Sequence, residues 1–489
     1  MAPSNTLKPC DFVIFGGTGD LAKRKLLPAL YMYERESRLP ADFRIIAVSR
    51  EEWSTEQFRD YCEGEDAVKG FLKGAWEQSV WDVFRRRLHH AEAQLGESSP
   101  GLPNLAKILP MTPNAPLRVF YMALPSELMG PTCEAIRDQG LASGRDRVVL
   151  EKPIGASLVG AKQVHERIRH TFGENDIYRI DHYLGKETVH NIPVLRSDSS
   201  LLGLLWDHAW VDRVEISVSE EVGAGDRIEY YETAGALRDM VQNHLLQILC
   251  LVAMEPAENS SKATLRVAKC EILKSLGEIA EGDSVRGQYE AGSGMPGYSE
   301  EVGAFAGVDS LRRAPNSTLT ETFVAIRVRL NDNSRWRDVP FFLRTGKRLD
   351  RREAQVVMHF VTTPTSGASV TPKRLVIHIQ PDDGATLFVS VSGSYPSESA
   401  DAQLELHFPR AFPSSRTPEA YERLLADVVN GDPELFVSGA EVEASWKWID
   451  SIKEMWNSGT PDLRLYPAGT TGPATGEWPH DGRAPKKRG

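Results

Sequence analysis

The sequence has few cysteines and no arrangement that would bring them to work together. Five cysteines are scattered over 489 residues without a CxxC or Cys/His grouping: Cys10, Cys62, Cys133, Cys250 and Cys270. Zinc sites use closely spaced cysteine and histidine ligands, and disulfide frameworks concentrate cysteines in short chains. We therefore expect neither a metal site nor disulfides, and we expect the thiols to be buried.

The chain also lacks an excess of basic charge and a long apolar run. Its formal charge of −11 argues against nucleic acid as a partner, because nucleic-acid-binding proteins present a basic field. No apolar run reaches the length that spans a bilayer, and no secretory leader precedes Lys8. These features predict a cytoplasmic protein without a membrane partner, and the length suggests more than one domain.

A short apolar run over residues 11–15, DFVIF, is followed at once by a glycine-rich turn. The run predicts a strand, and the residues after the turn have the amphipathic pattern of a helix. Within the turn, Gly17, Gly19 and Ala22 fit the dinucleotide-binding fingerprint with alanine in the third place. The glycines let the backbone approach a pyrophosphate, and the small third residue lets helix and strand pack closely. A strand, this turn and a helix in succession predict a dinucleotide site.

A second predicted strand, residues 43–48, ends in Ser49 and Arg50. At this place an acidic residue binds the ribose 2′-OH of NAD, whereas an arginine accommodates the 2′-phosphate of NADP. Arg50 therefore favours NADP, and the following Glu51 and Glu52 leave room for NAD as a secondary acceptor. A solvated charge at a strand end is the alternative interpretation of Arg50.

Further strands are predicted at residues 118–124, 147–150 and 177–180. Helical character prevails over residues 52–95. Strands that alternate with helices indicate a doubly wound parallel sheet of Rossmann type, an α/β fold whose ligands bind at the carboxyl ends of the strands. Lys152 follows one of these strands, and a cis bond to Pro153 would direct it into the crevice. A surface lysine is the alternative.

Residues 179–187, RIDHYLGKE, hold a dense set of ionisable groups. Asp181 stands where an N-cap would be, and the following residues have helical character until Pro193 stops them. Such a helix would place His182 and Lys186 one turn apart on one face.

The same helix start would bring Tyr183 beside His182 and Lys186. Backbone N–H groups without helical partners and the macrodipole favour an anion at such a place. The cluster therefore predicts a phosphate or carboxylate pocket. The alternative is a solvated helix that Asp181 merely caps.

A long apolar helix is predicted over residues 234–254 and carries Asp239 and His244. On an ideal helix these side chains stand roughly 140° apart, so we expect them to flank one ligand rather than to pair. A carboxylate that orients His244 must then come from elsewhere, and Asp181 is the best candidate. A satisfied core histidine is the alternative.

A half-buried strand is predicted over residues 211–219. Beyond about residue 271, further alternating segments occur at residues 322–330, 356–360, 374–379, 385–391 and 402–408. They predict one large antiparallel sheet in an α+β domain. Residues 340–348, PFFLRTGKR, form a basic turn in an acidic chain, and from there Lys347 and Arg352 can reach an anionic substrate. A solvated loop is the alternative. We expect a dinucleotide-binding domain over residues 1–180 and a substrate-binding and oligomerisation domain over residues 181–489.

Motifs over nearly the whole chain resemble, in order, those of the glucose-6-phosphate dehydrogenase family. They are GGTGDLAKRKL at Gly16, SR at Ser49, ALP at Ala123, EKP at Glu151, RIDHYLGKE at Arg179, YETAGALRDMVQNH at Tyr231, TETFVA at Thr320, VPFFLRTGKRL at Val339, AYERLL at Ala420 and YPAGTTGP at Tyr466. The motif at Arg179 is the most specific of them.

The resemblance implies oxidation of D-glucose 6-phosphate to 6-phospho-D-glucono-1,5-lactone with NADP, the first step of the oxidative pentose phosphate pathway. It also implies a homodimer or homotetramer formed through the large sheet. His244 would be the general base that takes the C1-hydroxyl proton, with Asp181 orienting it. The implied phosphate ligands are His182, Tyr183 and Lys186, and the implied ligands of the sugar hydroxyls are Lys152, Glu220, Asp239 and Lys347. The implied cofactor-binding residues are Gly16, Gly17, Gly19, Asp20, Leu21, Arg50 and Lys152.

The chain departs from the family pattern at residues 197–206, SDSSLLGLLW, which puts local packing in doubt rather than the reaction. Residues 355–409 align poorly with members that have a second, structural NADP site, and that site is not predicted. One rival interpretation is a related Rossmann sugar dehydrogenase without phosphate specificity, which would not require His182, Tyr183 and Lys186 together. The other is a non-catalytic NADPH-binding protein.

Overall fold

The computed structural model describes residues 6–72, 74–97, 101–109, 115–197, 200–255, 262–306, 318–361, 373–392, 399–408, 416 and 418–475. Within these residues the chain forms sixteen strands: β1 Cys10–Phe15, β2 Arg44–Ser49, β3 Leu88–Glu92, β4 Leu117–Met122, β5 Arg147–Leu150, β6 Ile177–Ile180, β7 Val211–Ser219, β8 Ser284–Glu290, β9 Phe323–Val328, β10 Phe341–Gly346, β11 Glu353–Phe360, β12 Arg374–Gln380, β13 Gly384–Ser392, β14 Ser399–His407, β15 Phe436–Val437 and β16 Leu463–Pro467.

Among the described residues the helices are of three kinds, and the 3₁₀-helices are the short segments Glu174–Asp176, Gly203–Leu205, Gly225–Arg227 and Glu281–Asp283. The α-helices span Leu27–Arg35, Thr55–Cys62, Val68–Phe71, Gln78–Arg87, Pro103–Ile108, Ser126–Asp138, Leu158–Arg169, Glu187–Leu195, Ile228–Ala236, Leu246–Ala253, Lys262–Ser275, Tyr298–Ala306, Ala420–Asn430 and Gly439–Asn457. Two segments, Ala22–Leu26 and Leu237–Leu245, are π-helical and run directly into the α-helices that follow them. Across the described ranges, no helix combines the length and the apolar character that crossing a bilayer requires. All five cysteines are buried, as predicted.

The chain divides into two compact units. The first unit holds Met1–Gly185, Ser260–Arg266 and Pro418–Glu443, and the second holds Lys186–Asn259, Val267–Thr417 and Ala444–Gly489.

The first unit is built on a seven-stranded sheet in the order β15-β6-β5-β4-β1-β2-β3. Every neighbouring pair is parallel except β15 with β6. Strand β1 is buried along its whole length, as its continuous apolar run requires of a parallel strand covered on both faces. The predicted Rossmann-type α/β fold is confirmed. The helical prediction for residues 52–95 is wrong over β3, whose sequence LHHAE has no strand-like pattern but pairs with the edge of β2.

The second unit is built on a nine-stranded sheet in the order β14-β13-β12-β11-β7-β10-β9-β8-β16. The sheet is mostly antiparallel, as predicted, but β10 is parallel to β7 and β16 is parallel to β8. The predicted basic turn at residues 340–348 is wrong, because residues 341–346 form β10 between β7 and β9. Their alternation explains it: Phe341 and Leu343 are buried on one face, while Arg344 lies on the other.

The prediction that a helix starts at Asp181 is also wrong, because the helix begins only at Glu187. The Asp181 carboxylate accepts the Tyr183 N–H at 2.9 Å and its carbonyl accepts the Leu184 N–H at 3.0 Å, so the chain makes a turn here. Lys186 has an extended backbone in the N-cap position, and the helix runs over Glu187–Leu195. His182 and Lys186 therefore do not share a helix face. Pro193 does not stop this helix but lies inside its last turn.

The long helix predicted over residues 234–254 is interrupted at Gly235, whose φ is 63° and ψ is 174°. After this break the chain is π-helical over Leu237–Leu245. A π-helix bonds residue i to residue i+5, so positions five apart lie about one turn from each other. The expected angle of roughly 140° between Asp239 and His244 is therefore wrong, and the two side chains share one face.

Candidate active site

The glycine turn of the first unit ties β1 to the end of β2. The N–H groups of Gly16 and Gly17 both donate to the Val48 carbonyl, at 2.9 and 3.0 Å. Gly16 has a φ of +78°, and a Cβ there would lie 2.4 Å from the Ala123 carbonyl oxygen. A Cβ at Gly17 would lie 2.5 Å from Ala47 Cβ. Neither position can accept a side chain, so the tight turn depends on glycine at both.

The glycine turn leads into a helix. Gly19 and Asp20, at the start of that helix, are exposed. The first N–H groups of a helix have no partner within it, and such a terminus after a glycine turn favours a phosphate. The Asp20 carboxylate pairs with Arg24 at 2.5 Å, while Leu21 is half-buried. At the end of β2, Arg50 is exposed. The helix start after a glycine turn and the cation at the end of β2 have the chemistry that a dinucleotide's phosphates require.

Lys152 is half-buried at the carboxyl end of β5, and its peptide bond to Pro153 is cis. The preceding Glu151 is half-buried and accepts hydrogen bonds from the hydroxyls of Tyr121, at 2.5 Å, and Tyr421, at 3.3 Å. Burial raises the pKa of Glu151 despite these two donors.

Tyr421 also contacts a predicted phosphate ligand. Its ring is stacked with the His182 ring, with centroids 6.4 Å apart and planes within 11°. Tyr421 thus connects the residue before Lys152 to His182, a connection that was not predicted from the sequence. The motif AYERLL contains this tyrosine and was its only signal.

Asp181 and Tyr183 are both buried in the turn after β6, while His182 is half-buried. A charged network fixes the strand that precedes them. The buried Arg179 donates to the Glu174 carboxylate at 2.8 and 3.0 Å and to His165 Nε2 at 3.1 Å.

His165 is buried beneath this network and donates from Nδ1 to the Glu443 carboxylate at 3.1 Å. Burial and the neighbouring Arg179 lower the pKa of His165 to about 4. The imidazole is therefore neutral at neutral pH, which lets Nε2 accept the Arg179 hydrogen bond. The network ties the end of β6, just before Asp181, to Glu174, His165 and Glu443.

In the second unit, Lys186 precedes the helix Glu187–Leu195 and its ammonium donates to Gln380 Oε1 at 2.6 Å. Thr188, in the first turn of that helix, donates to Asp383 at 2.7 Å. These two bonds attach the helix N-terminus to the end of β12. A lysine at a helix N-terminus adds a full charge to the positive end of the macrodipole.

Glu220 and Lys347 follow the ends of two paired parallel strands. Ser219 of β7 is in register with Gly346 of β10, so the next residue of each strand lies at the same edge of the sheet. The Lys347 ammonium lies 2.8 Å from the Glu220 carboxylate and 5.1 Å from the centroid of the Tyr231 ring. Lys347 is buried, although it was predicted in an open turn.

The predicted sugar ligands therefore differ in their surroundings. Arg352 is exposed immediately before β11, unlike the buried Lys347. Among the other described residues, Asp239 accepts a hydrogen bond from the Tyr230 hydroxyl at 3.3 Å.

His244 and Asp239 are both buried on the π-helical segment, which packs against β7 and β10. The N-terminus of this segment is capped by a glutamate from another part of the second unit. Glu321 accepts the Leu237 N–H at its Oε1, 3.0 Å away, and its carbonyl accepts the Ala236 N–H at 2.9 Å. No local sequence pattern predicts this cap. Its only signal was the glutamate of the TETFVA motif.

A parallel doubly wound sheet with such a glycine turn defines a dinucleotide-binding protein of Rossmann type. The comparisons with known proteins are more specific. A family model described as "Glucose-6-phosphate dehydrogenase, NAD binding domain" matches residues 13–191, and "Glucose-6-phosphate dehydrogenase, C-terminal domain" matches residues 193–479. The chain belongs to the glucose-6-phosphate dehydrogenase family, and its cofactor is a nicotinamide dinucleotide.

Individual relatives align with this chain over almost their full length. The glucose-6-phosphate 1-dehydrogenase of Mycolicibacterium smegmatis is 41% identical, over 95% of this chain and 94% of the relative. That of Rhizobium meliloti is 40% identical, over 96% and 95%. A solved glucose-6-phosphate dehydrogenase in complex with glucose 6-phosphate is similar at a TM-score of 0.85, with 28% identity over 97% of both chains. The enzyme from Mycobacterium avium is similar at 0.81, with 30% identity over 96% of both chains.

Proposed function

We propose that the chain oxidises D-glucose 6-phosphate at C1 to 6-phospho-D-glucono-1,5-lactone with NADP as acceptor, the first step of the oxidative pentose phosphate pathway. The observation that carries this proposal is the 41% identity to a glucose-6-phosphate 1-dehydrogenase over nearly both whole chains. The substrate named for the similar solved complex agrees with it.

His244 is the proposed general base. Oxidation of the sugar requires removal of the C1-hydroxyl proton, and neutral imidazole is suited to that task near neutral pH. Bound nicotinamide supplies the acceptor for the hydride that leaves C1. Burial of His244 supports the role, because water that competes for the proton is excluded. Asp181 stays the predicted partner that orients this imidazole.

His182, Tyr183 and Lys186 are the proposed ligands of the 6-phosphate. The charge of Lys186 at a helix N-terminus supports this role, since both the ammonium and the helix favour an anion. Fixing the phosphate end of the sugar positions C1 for reaction, so this binding contributes to turnover as well as to affinity. The other proposed substrate ligands are Lys152, Glu220, Asp239, Lys347 and Arg352.

The proposed cofactor residues are Gly16, Gly17, Gly19, Asp20, Leu21, Arg50 and Lys152. Exposed Arg50 at the end of β2 supports NADP as the main acceptor, with NAD as a secondary one. The division into a dinucleotide-binding domain over residues 1–180 and a substrate-binding and oligomerisation domain over 181–489 stays a prediction. So does the homodimer or homotetramer.

The direct test is to mix the protein with NADP and glucose 6-phosphate and follow reduced nicotinamide by its absorbance. Parallel reactions replace the phosphosugar by glucose and NADP by NAD. We expect rapid reduction with glucose 6-phosphate and much slower reduction with glucose. Equal rates with both sugars would support a sugar dehydrogenase without phosphate specificity, and no reduction with either would indicate a non-catalytic NADPH-binding protein.

A further inference from the structure

The loop that follows β7 begins at Glu220, one of the proposed ligands of the sugar hydroxyls. The backbone of Glu220 is attached to the end of β10, because its N–H donates to the Gly346 carbonyl and its carbonyl accepts the Leu349 N–H, both at 3.0 Å. Its side chain pairs with Lys347, a second proposed sugar ligand, at 2.8 Å. The positions of Glu220 and Lys347 therefore depend on how this loop is held.

Three side chains meet the loop at Gly223, and they come from β8, from the helix Tyr298–Ala306 and from the turn after β10: Tyr289, Glu301 and Arg348. A Cβ added to Gly223 would lie within 2.9 Å of an atom of each of them, an approach that glycine permits. The next two residues of the loop are bonded to the same group. The Ala224 N–H donates to the Tyr289 hydroxyl at 3.1 Å, and the Gly225 N–H donates to Glu301 Oε2 at 3.4 Å.

Glu301 joins the three side chains to one another. Its Oε1 accepts a hydrogen bond from Arg348 Nη2 at 2.6 Å, and its Oε2 accepts one from the Tyr289 hydroxyl at 2.7 Å. The side chains of Glu301 and Arg348 are only 11% and 20% exposed, so solvent screens this ion pair less than it screens a surface pair. Burial raises the pKa of Tyr289, so its hydroxyl keeps the proton that it donates to Glu301.

Arg348 connects this group to Lys347, the residue before it. Arg348 has a φ of 52°, a left-handed conformation that a non-glycine residue keeps only where the surrounding contacts fix it. Its N–H donates to the Val222 carbonyl at 3.2 Å, and its carbonyl accepts the Gly469 N–H at 2.8 Å. The bond from its side chain to Glu301 is a third restraint. Glu301 thus acts on the loop after Glu220 and on the residue after Lys347.

A site recognises a sugar hydroxyl best when its polar groups cannot move to adapt to a different ligand. We propose that Glu301 is a positioning residue for sugar recognition: its carboxylate holds Arg348 and Tyr289 against the loop, and this sets the positions of Glu220 and Lys347 at the sugar hydroxyls. The inference rests on the proposed function, in which Glu220 and Lys347 bind the hydroxyls while other residues bind the phosphate.

The test measures, by calorimetry on the full-length chain, the Kd values of glucose 6-phosphate and of inorganic phosphate for the wild type and Glu301→Gln. Glutamine keeps an oxygen that can accept the Tyr289 hydrogen bond but has no charge to pair with Arg348. We expect the Kd for glucose 6-phosphate to rise about tenfold. The Kd for inorganic phosphate, which has no sugar hydroxyls, should stay within about twofold of the wild-type value.

Two further variants make the comparison specific. Glu221→Gln is the matched control, since it removes the same charge from an exposed residue of the loop, and its Kd for glucose 6-phosphate should equal that of the wild type or be lower. Loss of a negative charge alone favours an anionic ligand, so a rise in Glu301→Gln is opposite in sign to a general charge effect. Tyr289→Phe removes only a hydroxyl of the group and should raise the same Kd, so it decides the question if Glu301→Gln does not fold.

Two results would overturn the inference. One is a Kd for glucose 6-phosphate that stays at the wild-type value in both Glu301→Gln and Tyr289→Phe. The other is an equal rise for inorganic phosphate, which would indicate general damage to the site. A wild-type chain that binds no glucose 6-phosphate would refute both this inference and the proposed function. A chain that binds it but reduces no nicotinamide would refute the proposed function alone, because the Kd values would still decide the role of Glu301.

Discussion

Replacing Gly235 by alanine should destabilise the second unit and disturb the buried segment that carries His244. Gly235 stands at the break before the π-helical segment with a φ of 63° and a ψ of 174°, a conformation that is essentially restricted to glycine. An added Cβ would lie 2.3 Å from Glu321 Oε1 and 2.6 Å from its Cδ. The alanine would therefore push aside the carboxylate that caps the Leu237 N–H.

The cost has two parts. Backbone strain for a non-glycine residue here is about 1–3 kcal/mol. Displacing Glu321 leaves a buried N–H without its acceptor, which costs about another 1–3 kcal/mol. Their sum, roughly 2–6 kcal/mol, is a large share of the stability of an ordinary domain.

Thermal unfolding followed by circular dichroism measures this effect, with turnover measured on the same samples. We expect the unfolding midpoint of Gly235→Ala to fall by roughly 5 °C or more, and kcat to fall with it. Gly303→Ala is the matched control, because Gly303 lies within the helix Tyr298–Ala306 and an added Cβ there meets no atom of the described residues within 4 Å. A Gly235→Ala midpoint equal to those of the wild type and Gly303→Ala would refute the assigned role of the break.

Three further predictions concern other parts of the chain. In the unfolded chain His165 takes up a proton below its ordinary pKa of about 6.5. In the folded chain it does so only near its lowered pKa of about 4. The stability that the neutral imidazole contributes is therefore complete above pH 6.5 and is lost as the pH falls towards 4. Between pH 7.5 and 5 the wild type should lose about 2 kcal/mol, and the unfolding midpoint of His165→Gln should depend less on pH over this range; parallel curves would contradict the assignment. Tyr421→Phe loses only the hydroxyl bond to Glu151 and should cost about 1 kcal/mol of stability. Tyr421→Ala should cost clearly more, because the ring stacked with His182 is also lost. Equal thermal unfolding midpoints for the two variants would argue against the ring contact. Lys186→Ala should raise KM for glucose 6-phosphate far more than KM for NADP, and equal increases would count against the phosphate role.

The parts of the fold that sequence predicts well are those in which one local signal dominates. The apolar run of β1 followed by Gly16 and Gly17 leaves few alternatives to a strand and a tight turn, and the structure has both. Strand β7 alternates over most of its length and was predicted with its observed bounds. Lys152 was correctly placed at the carboxyl end of β5 for the same reason.

The errors arise where a distant contact outweighs the local pattern. The sequence of residues 237–245 does not predict a π-helix. This helix depends on the break at Gly235 and on the cap from Glu321, which is distant in sequence. The basic residues around Lys347 suggested a solvated turn, yet pairing on both sides makes the preceding residues a central strand. The sequence around Asp181 is equally compatible with a helix cap and with a turn. The hydrogen bond from the Tyr183 N–H to the Asp181 carboxylate decides for the turn.

The measurement that tests the central claim most directly is the turnover of His244→Asn, with dissociation constants for glucose 6-phosphate and NADP measured on the same preparation. If His244 removes the C1-hydroxyl proton, kcat should fall by about 10²–10⁴-fold while both dissociation constants stay close to those of the wild type. A variant that binds both molecules and keeps a near-normal kcat would contradict the assignment of the base.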